Sequence, residues 1–145
     1  MKFHKVILGA AMIVSMGMSS MAFAVDFTED EMLWLGMKIY ERAAGRGCGT
    51  CHDVRPFPDL TESIKKLSKE DFIKVVKEGR AGTIMTPMAP KIMEIGLVEK
   101  TCMSEEQALD ALYSYLKALS DGKIKGKVKK PASLKDKMKE CKAAS

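Results

Sequence analysis

The chain has 145 residues, with 24 Lys and Arg against 19 Asp and Glu, and a formal net charge of +5 at pH 7. This length allows one domain with a single hydrophobic core. The basic residues gather near the C-terminus in a run without interleaved aromatic side chains, which argues against nucleic-acid binding.

Residues 1–24 have the pattern of a secretory signal peptide. Lys2 and Lys5 give it a positive start, an apolar run covers residues 6–18, and the segment ends in the small-x-small cleavage site Ala22–Phe23–Ala24. The apolar run is shorter than the ~20 residues that a membrane-spanning helix needs. A retained membrane anchor is the competing interpretation. We expect cleavage after Ala24 and a periplasmic protein without stable membrane insertion.

A first helix is predicted to begin at Thr28, whose hydroxyl can form a capping box with Glu31. Gly45 and Gly47 end the helical pattern. Gly36, in the middle of the helix, predicts close approach by another helix, since glycine there costs about 1 kcal/mol in helix propensity. The apolar face comprises Met32, Leu35, Gly36, Ile39, Tyr40 and Ala43.

Residues 48–52 read Cys-Gly-Thr-Cys-His, which is the C-x-x-C-H signature of haem c attachment. Two thiols at this spacing can reach the two vinyl groups of one haem, and the following histidine, His52, can ligate the iron. His4 lies in the predicted signal segment, so the second axial ligand must be another residue type or be missing. A thioredoxin-like pair would need a βαβ pattern, and a zinc site would need four ligands; both are remote alternatives.

Two methionines lie in a turn-rich loop after the second predicted helix. That helix begins at Ser68 and ends at Gly79. The loop, residues 82–90, contains Met85 and Met88 between glycine and proline residues. A thioether ligand would favour ferrous iron, whereas core filling is the ordinary role of methionine. Beyond the loop, a short helix over residues 91–95 is predicted to stop at Gly96.

The last predicted helix begins with a Ser104–Gln107 capping box and ends at Asp121–Gly122. The C-terminal tail, residues 123–145, is rich in lysine and poor in apolar residues, so we expect it to be mobile or laid over the surface. Cys102 and Cys141 would meet an oxidising environment and are expected to pair, the alternative being free or buried thiols. No segment alternates with period two, which leaves three main helices and no sheet.

The chain resembles the small monohaem class I c-type cytochromes over residues 29–120. The matching segments are Gly36-Met37-Lys38-Ile39-Tyr40, Cys48 to His52, Gly82-Thr83-Ile84-Met85, and Tyr113-Ser114-Tyr115-Leu116-Lys117-Ala118-Leu119. The resemblance implies an all-α, cytochrome c-like bundle of three main helices wrapped around one covalently bound haem. Residues 25–122 would form the cytochrome c domain, followed by the basic tail, with the first and last helices crossing near Gly36.

The resemblance also implies a role for each matching residue at the cofactor. Cys48 and Cys51 would form the thioethers to one haem c, His52 would be the proximal axial ligand of its iron, and Tyr40 and Leu60 would pack in the haem pocket. These assignments follow the family pattern residue by residue.

Two assignments depart from the family pattern. The family has a proline carbonyl that accepts a hydrogen bond from the proximal histidine. Pro58 matches it best, but Phe57 stands where glycine is usual, so Pro56 competes. Met85 matches the distal ligand, although a threonine separates it from the next proline, and Met88 is the alternative.

The resemblance implies a periplasmic electron carrier with a low-spin, His/Met-ligated haem, and not an enzyme. Its partners would be redox proteins, and the protein would be a monomer or a subunit of a complex. The lysines of the tail favour a partner with an acidic docking surface, the alternative being that they only keep the tail soluble. A subunit of a larger periplasmic oxidoreductase is the alternative function. A haem-based gas binder or sensor is the remote one, because it would need an open iron position.

Overall fold

The structure, a computed structural model, describes residues 25–144, and every regular element in that range is helical. The expected all-α fold is thus confirmed. The predicted signal peptide lies outside the described residues. The elements in chain order are α1 (Glu29–Arg42), a 3₁₀ turn (Ala43–Gly45), α2 (Gly49–His52), α3 (Leu60–Ser63), α4 (Lys69–Glu78), α5 (Ala89–Met93), α6 (Gly96–Lys100), α7 (Glu105–Ser120) and α8 (Leu134–Ala144).

The most extensive helix contact is the crossing of α1 and α7. Gly36 lies at the crossing point, where a Cβ atom would collide with the backbone carbonyl of Ala111 and lie 2.8 Å from the Tyr115 Cβ. Leu35 and Leu116 are almost completely buried beside it. The close approach predicted at Gly36 is confirmed, and it lets the two helices bury their apolar faces against each other.

Three predicted helix starts are confirmed by their caps. In α1 the Thr28 hydroxyl accepts from the Glu31 amide at 3.3 Å, and the Glu31 carboxylate accepts from the Thr28 amide at 2.9 Å. Ser104 forms the same reciprocal box with Gln107 at the start of α7. Ser68 caps α4. These bonds satisfy amides that the helix itself leaves unpaired.

The segment between α4 and α7 differs from the expectation. Helix α5 begins at Ala89, two residues before the predicted start. Pro90 lies in its first turn, where the missing backbone N–H of proline costs nothing because it would have no acceptor within the helix. Gly96 was expected to stop this helix and instead opens a further helix, α6. That prediction was wrong because glycine also tolerates the first turn of a helix.

The C-terminal tail lies over the body of the protein and contains a helix that the sequence pattern did not predict. Leu134, the first residue of α8, is fully buried. Cys141 forms the expected disulfide with Cys102, with 5.5 Å between the two Cα atoms. Helix α8 is therefore fixed against α6. Among residues 25–144, none of the helices combines the length and apolar character that a membrane span requires.

Candidate functional site

The C-x-x-C-H motif lies on the short helix α2, directly after the turn that ends α1. Its chain direction is fixed by the Cys48 amide, which donates to the Tyr40 carbonyl at 2.8 Å, and by Gly47, whose φ of 83° is favourable only for glycine. The His52 amide donates to the Cys48 carbonyl at 3.0 Å. Cys48, Cys51 and His52 therefore share one helical turn, attached to the C-terminal end of α1.

Both motif cysteines are free thiols, and both are partly buried. They form no disulfide with each other, while Cys102 and Cys141 are paired elsewhere. Burial raises the pKa of the Cys48 thiol to about 11, so at neutral pH this sulfur carries its proton. The two sulfurs are thus available for a covalent attachment.

The imidazole of His52 is oriented by the carbonyl oxygen of Pro58, which lies 2.8 Å from Nδ1. A proton on Nδ1 donates to this carbonyl, and Nε2 then presents its lone pair. Nε2 has no hydrogen-bond partner among the described residues. The carbonyl that meets the ring belongs to Pro58 and not to Pro56. One nitrogen of His52 is therefore oriented, and the other is free to ligate a metal.

The segment that carries Pro58 is fixed by the cap of α3. The Asp59 carboxylate accepts from the Thr61 amide at 2.7 Å and from its hydroxyl at 2.6 Å. These bonds hold the pKa of Asp59 below its usual range. Leu60 begins α3 and packs, half-buried, against the core. The chain directly after Pro58 is thereby constrained, which helps to hold its carbonyl toward His52.

Tyr40 links the motif to the crossing of α1 and α7. Its hydroxyl donates to the Asp53 carboxylate at 2.5 Å, and its ring centroid lies 5.9 Å from that of Tyr115. Burial, and then the bond to Asp53, raise the pKa of Tyr40 far above its usual value. Asp53 was not predicted as a site residue. A carboxylate directly after the motif, with a tyrosine on the preceding helix, was the only available signal.

Met85 lies in a loop whose backbone is held by two hydrogen bonds. Its carbonyl accepts from the Arg80 amide at 2.9 Å, and its own amide donates to the Thr83 hydroxyl at 3.1 Å. Gly79 caps α4 at the base of the loop. Thr83 belongs to the matching segment of residues 82–85, but the sequence analysis gave it no role of its own, although a threonine hydroxyl that accepts from the amide two residues later is a common turn feature.

Met88 has a different environment. Its amide donates to the Val76 carbonyl of α4 at 2.8 Å, and its side chain packs against the hydrophobic core. Met85 is partly exposed and does not belong to the core cluster formed by the described residues. The Met88 side chain is therefore already packed against the core, whereas that of Met85 is not. The loop and the motif share no hydrogen bond in residues 25–144.

The residues around the motif fit a covalently attached haem. Two free thiols and an oriented imidazole lie on one turn. A cleft of about 550 Å³ beside His52 is lined by residues 52–57 and 59, and it reaches neither motif cysteine. A larger cavity of about 840 Å³, between the 3₁₀ turn, α5, α6 and α8, contains none of the predicted site residues. The structure thus brings together Cys48, Cys51, His52, Pro58 and Tyr40, with the methionines on a separate loop.

Comparison with known proteins gives one informative relative. The chain is 32% identical over 108 residues to cytochrome c-555 of Methylococcus capsulatus, and the alignment covers 70% of this chain and 75% of that protein. No protein-family model matches the chain. No solved structure matches it.

Proposed function

We propose that this chain, which belongs to the cytochrome c family, is a small single-haem carrier of electrons in the periplasm. Haem c is the covalently attached iron cofactor of this family, and its members transfer electrons without catalysing a reaction on a substrate. The chain is therefore an electron-transfer protein with redox partners, and not an enzyme.

The observation that carries the proposal is the arrangement of His52. Its Nδ1 is bonded to the Pro58 carbonyl at 2.8 Å, and two free thiols lie within the same turn. Haem, when attached to Cys48 and Cys51, supplies a one-electron iron couple. Pro58 would keep His52 in the tautomer whose Nε2 ligates, and such outer hydrogen bonds also raise the basicity of the ligand.

Met85 is the proposed second axial ligand, with Met88 as the alternative. The Met85 backbone is fixed by Arg80 and Thr83, while its thioether is not used in the core. The Met88 side chain already packs against the core, so moving it to a metal would leave apolar volume unfilled. A neutral sulfur ligand stabilises ferrous iron and raises the reduction potential.

The partners are proposed to be redox proteins with an acidic docking surface, met in brief encounters. Ile84, beside the proposed ligand Met85, is 70% exposed, and Val54, two residues after His52, is 53% exposed. These apolar side chains offer a partner small contacts near both proposed ligands. Export through the segment of residues 1–24 would place the protein where haem c is attached and where the Cys102–Cys141 disulfide persists.

Absorption spectroscopy of two matched variants tests the ligand assignment. Ferric haem with a thioether ligand gives a weak charge-transfer band in the far red. Met85→Leu should abolish the band and Met88→Leu should keep it, since leucine preserves volume and removes only the sulfur. Loss of the band in Met88→Leu alone would transfer the role to Met88. A band that survives both changes would contradict ligation from this loop.

A further inference from the structure

The cavity of about 840 Å³ between the 3₁₀ turn, α5, α6 and α8 lies apart from the haem motif, and we call it the α6–α8 cavity. Its volume falls in the range of about 300–1,000 Å³ that is typical of small-molecule sites in proteins. Neither the haem motif nor the loop of residues 82–90 contributes to its lining. The proposed electron transfer therefore does not account for this cavity.

The inner walls of the α6–α8 cavity are apolar. Ile95, the N-cap residue of α6, is buried, while Leu97 of α6 and Met138 of α8 are half-buried. Because the cavity lies between these two helices, the apolar side chains contact its contents from both. A methionine side chain also adapts easily to the shape of what it contacts. The walls therefore suit a hydrocarbon chain.

The space is kept open by residues without a side chain and by a covalent bond. Gly45 and Gly96 both line the cavity, and a Cβ atom on either would meet no atom within 4 Å. Helix α8 is held against α6 by the Cys102–Cys141 disulfide and begins at the fully buried Leu134. The walls are therefore fixed before a ligand arrives, and such preorganisation lowers the entropic cost of binding.

Unpaired positive charge lies at the α6–α8 cavity. Arg42 ends α1 and Lys100 ends α6, and both are exposed residues that line the cavity. Neither forms an ion pair with another residue in the range 25–144. Lys91 lines the cavity as well, but its Nζ is already paired with Glu94 Oε1 at 3.0 Å. Glu94 is the one carboxylate in the lining, so the two remaining cations have no counter-charge there.

We propose that the α6–α8 cavity binds an alkyl carboxylate. Arg42 and Lys100 would bind the carboxylate, since a guanidinium donates two parallel hydrogen bonds to such a group and an ammonium adds a compact charge. The hydrocarbon chain would lie against Ile95, Leu97 and Met138. The unpaired positive charge disfavours a cationic ligand, and a small hydrophilic anion would leave the apolar walls unused. The site goes beyond the proposed function, because no step of electron transfer uses it.

Calorimetric titration of the haem-loaded protein with butanoate, hexanoate, octanoate and decanoate tests the proposal. Each pair of added methylene groups should tighten binding about tenfold as long as the chain fits. Decyltrimethylammonium, which keeps the chain and reverses the charge, should bind at least about tenfold more weakly than decanoate. In methyl NMR the Met138 signal should shift, whereas that of Met32, about 15 Å from Arg42 along α1, should not. Affinity without chain-length dependence, equal binding of the cation, or shifts centred on Met32 would overturn the proposal.

Substitutions in the lining separate the cavity from overall charge. Arg42→Gln and Lys100→Gln should each weaken decanoate binding about fivefold or more. Lys66→Gln and Lys74→Gln, which remove the same charge at exposed positions outside the cavity, should change it less than about twofold. Gly96→Leu should fill the space and weaken binding about tenfold or more. Its unfolding midpoint should be no lower than that of the parent, because leucine favours a helix more than glycine and meets open space.

Equal losses in the cavity and control variants would overturn the proposal, and so would a folded Gly96→Leu protein that binds decanoate as the parent does. Capture by phosphatidylglycerol vesicles in the parent and in Gly96→Leu alike, without binding of free decanoate, would assign the carboxylate chemistry to a lipid surface and overturn the cavity site. These assays involve neither axial ligand of the haem. Their failure and the loss of the far-red band are therefore separate results.

Discussion

Replacement of Gly36 by alanine tests the crossing of α1 and α7, on which the position of the haem motif depends. The new Cβ would collide with the Ala111 carbonyl and approach the Tyr115 Cβ to 2.8 Å. Because the obstacle is backbone, it cannot rotate away, and the two helices must separate. Overpacking of this kind costs about 3 kcal/mol at the upper end of its usual range, and alanine returns about 1 kcal/mol in helix propensity.

The expected net loss at Gly36 is therefore about 2 kcal/mol, or roughly 8 °C in Tm. Urea unfolding of the haem-loaded protein, followed by helical circular dichroism, measures the change. The matched control is Gly96→Ala, where a Cβ would meet no atom within 4 Å and stability should be unchanged or slightly higher. Equal effects of the two substitutions would show that the helices do not approach as closely as described.

Three further changes test the elements around this crossing. Replacing both Cys102 and Cys141 by serine should lower the free energy of unfolding by about 4 kcal/mol in urea titrations, because the disulfide joins residues with a sequence separation of 39; an unchanged midpoint would refute this. Burial raises the pKa of Tyr115, so the folded state holds that proton more tightly and stability should fall as pH rises above about 10. Tyr115→Phe should make this fall less steep, the remainder belonging to Tyr40, whose pKa is also raised, while losing about 1 kcal/mol at pH 7 with the bond to Gly126, and an unchanged slope would contradict a contribution from Tyr115. Ser104→Ala should cost about 1 kcal/mol in the same unfolding assay through loss of the α7 cap, whereas a neutral result would mean that the cap contributes nothing.

The sequence predicted the elements whose signals are local. Thr28, Ser68 and Ser104 each cap a helix through a hydrogen bond to a residue three positions away, so the caps could be recognised without tertiary information. Gly36 stood out because glycine inside a helix needs a packing reason. The motif at residues 48–52 likewise carries its meaning in its spacing.

The sequence did not predict features that depend on tertiary contacts. Helix α8 has a lysine-rich sequence that resembles a solvated tail, and it is held by the burial of Leu134 and by the disulfide. The bond from Tyr40 to Asp53 joins residues 13 apart across the turn after α1. The packing of residues 124–128 on α1 and α7 likewise depends on contacts far apart in the chain, the bonds from Tyr115 to Gly126 and from Val128 to Met37.

Intact mass measurement of the exported protein under denaturing conditions tests the central claim most directly. The account predicts the chain from Val25 onward plus the mass of one haem, with the haem retained on the tryptic peptide that contains Cys48 and Cys51. A polypeptide mass without haem, or a haem released by acid and solvent, would contradict covalent attachment at this motif.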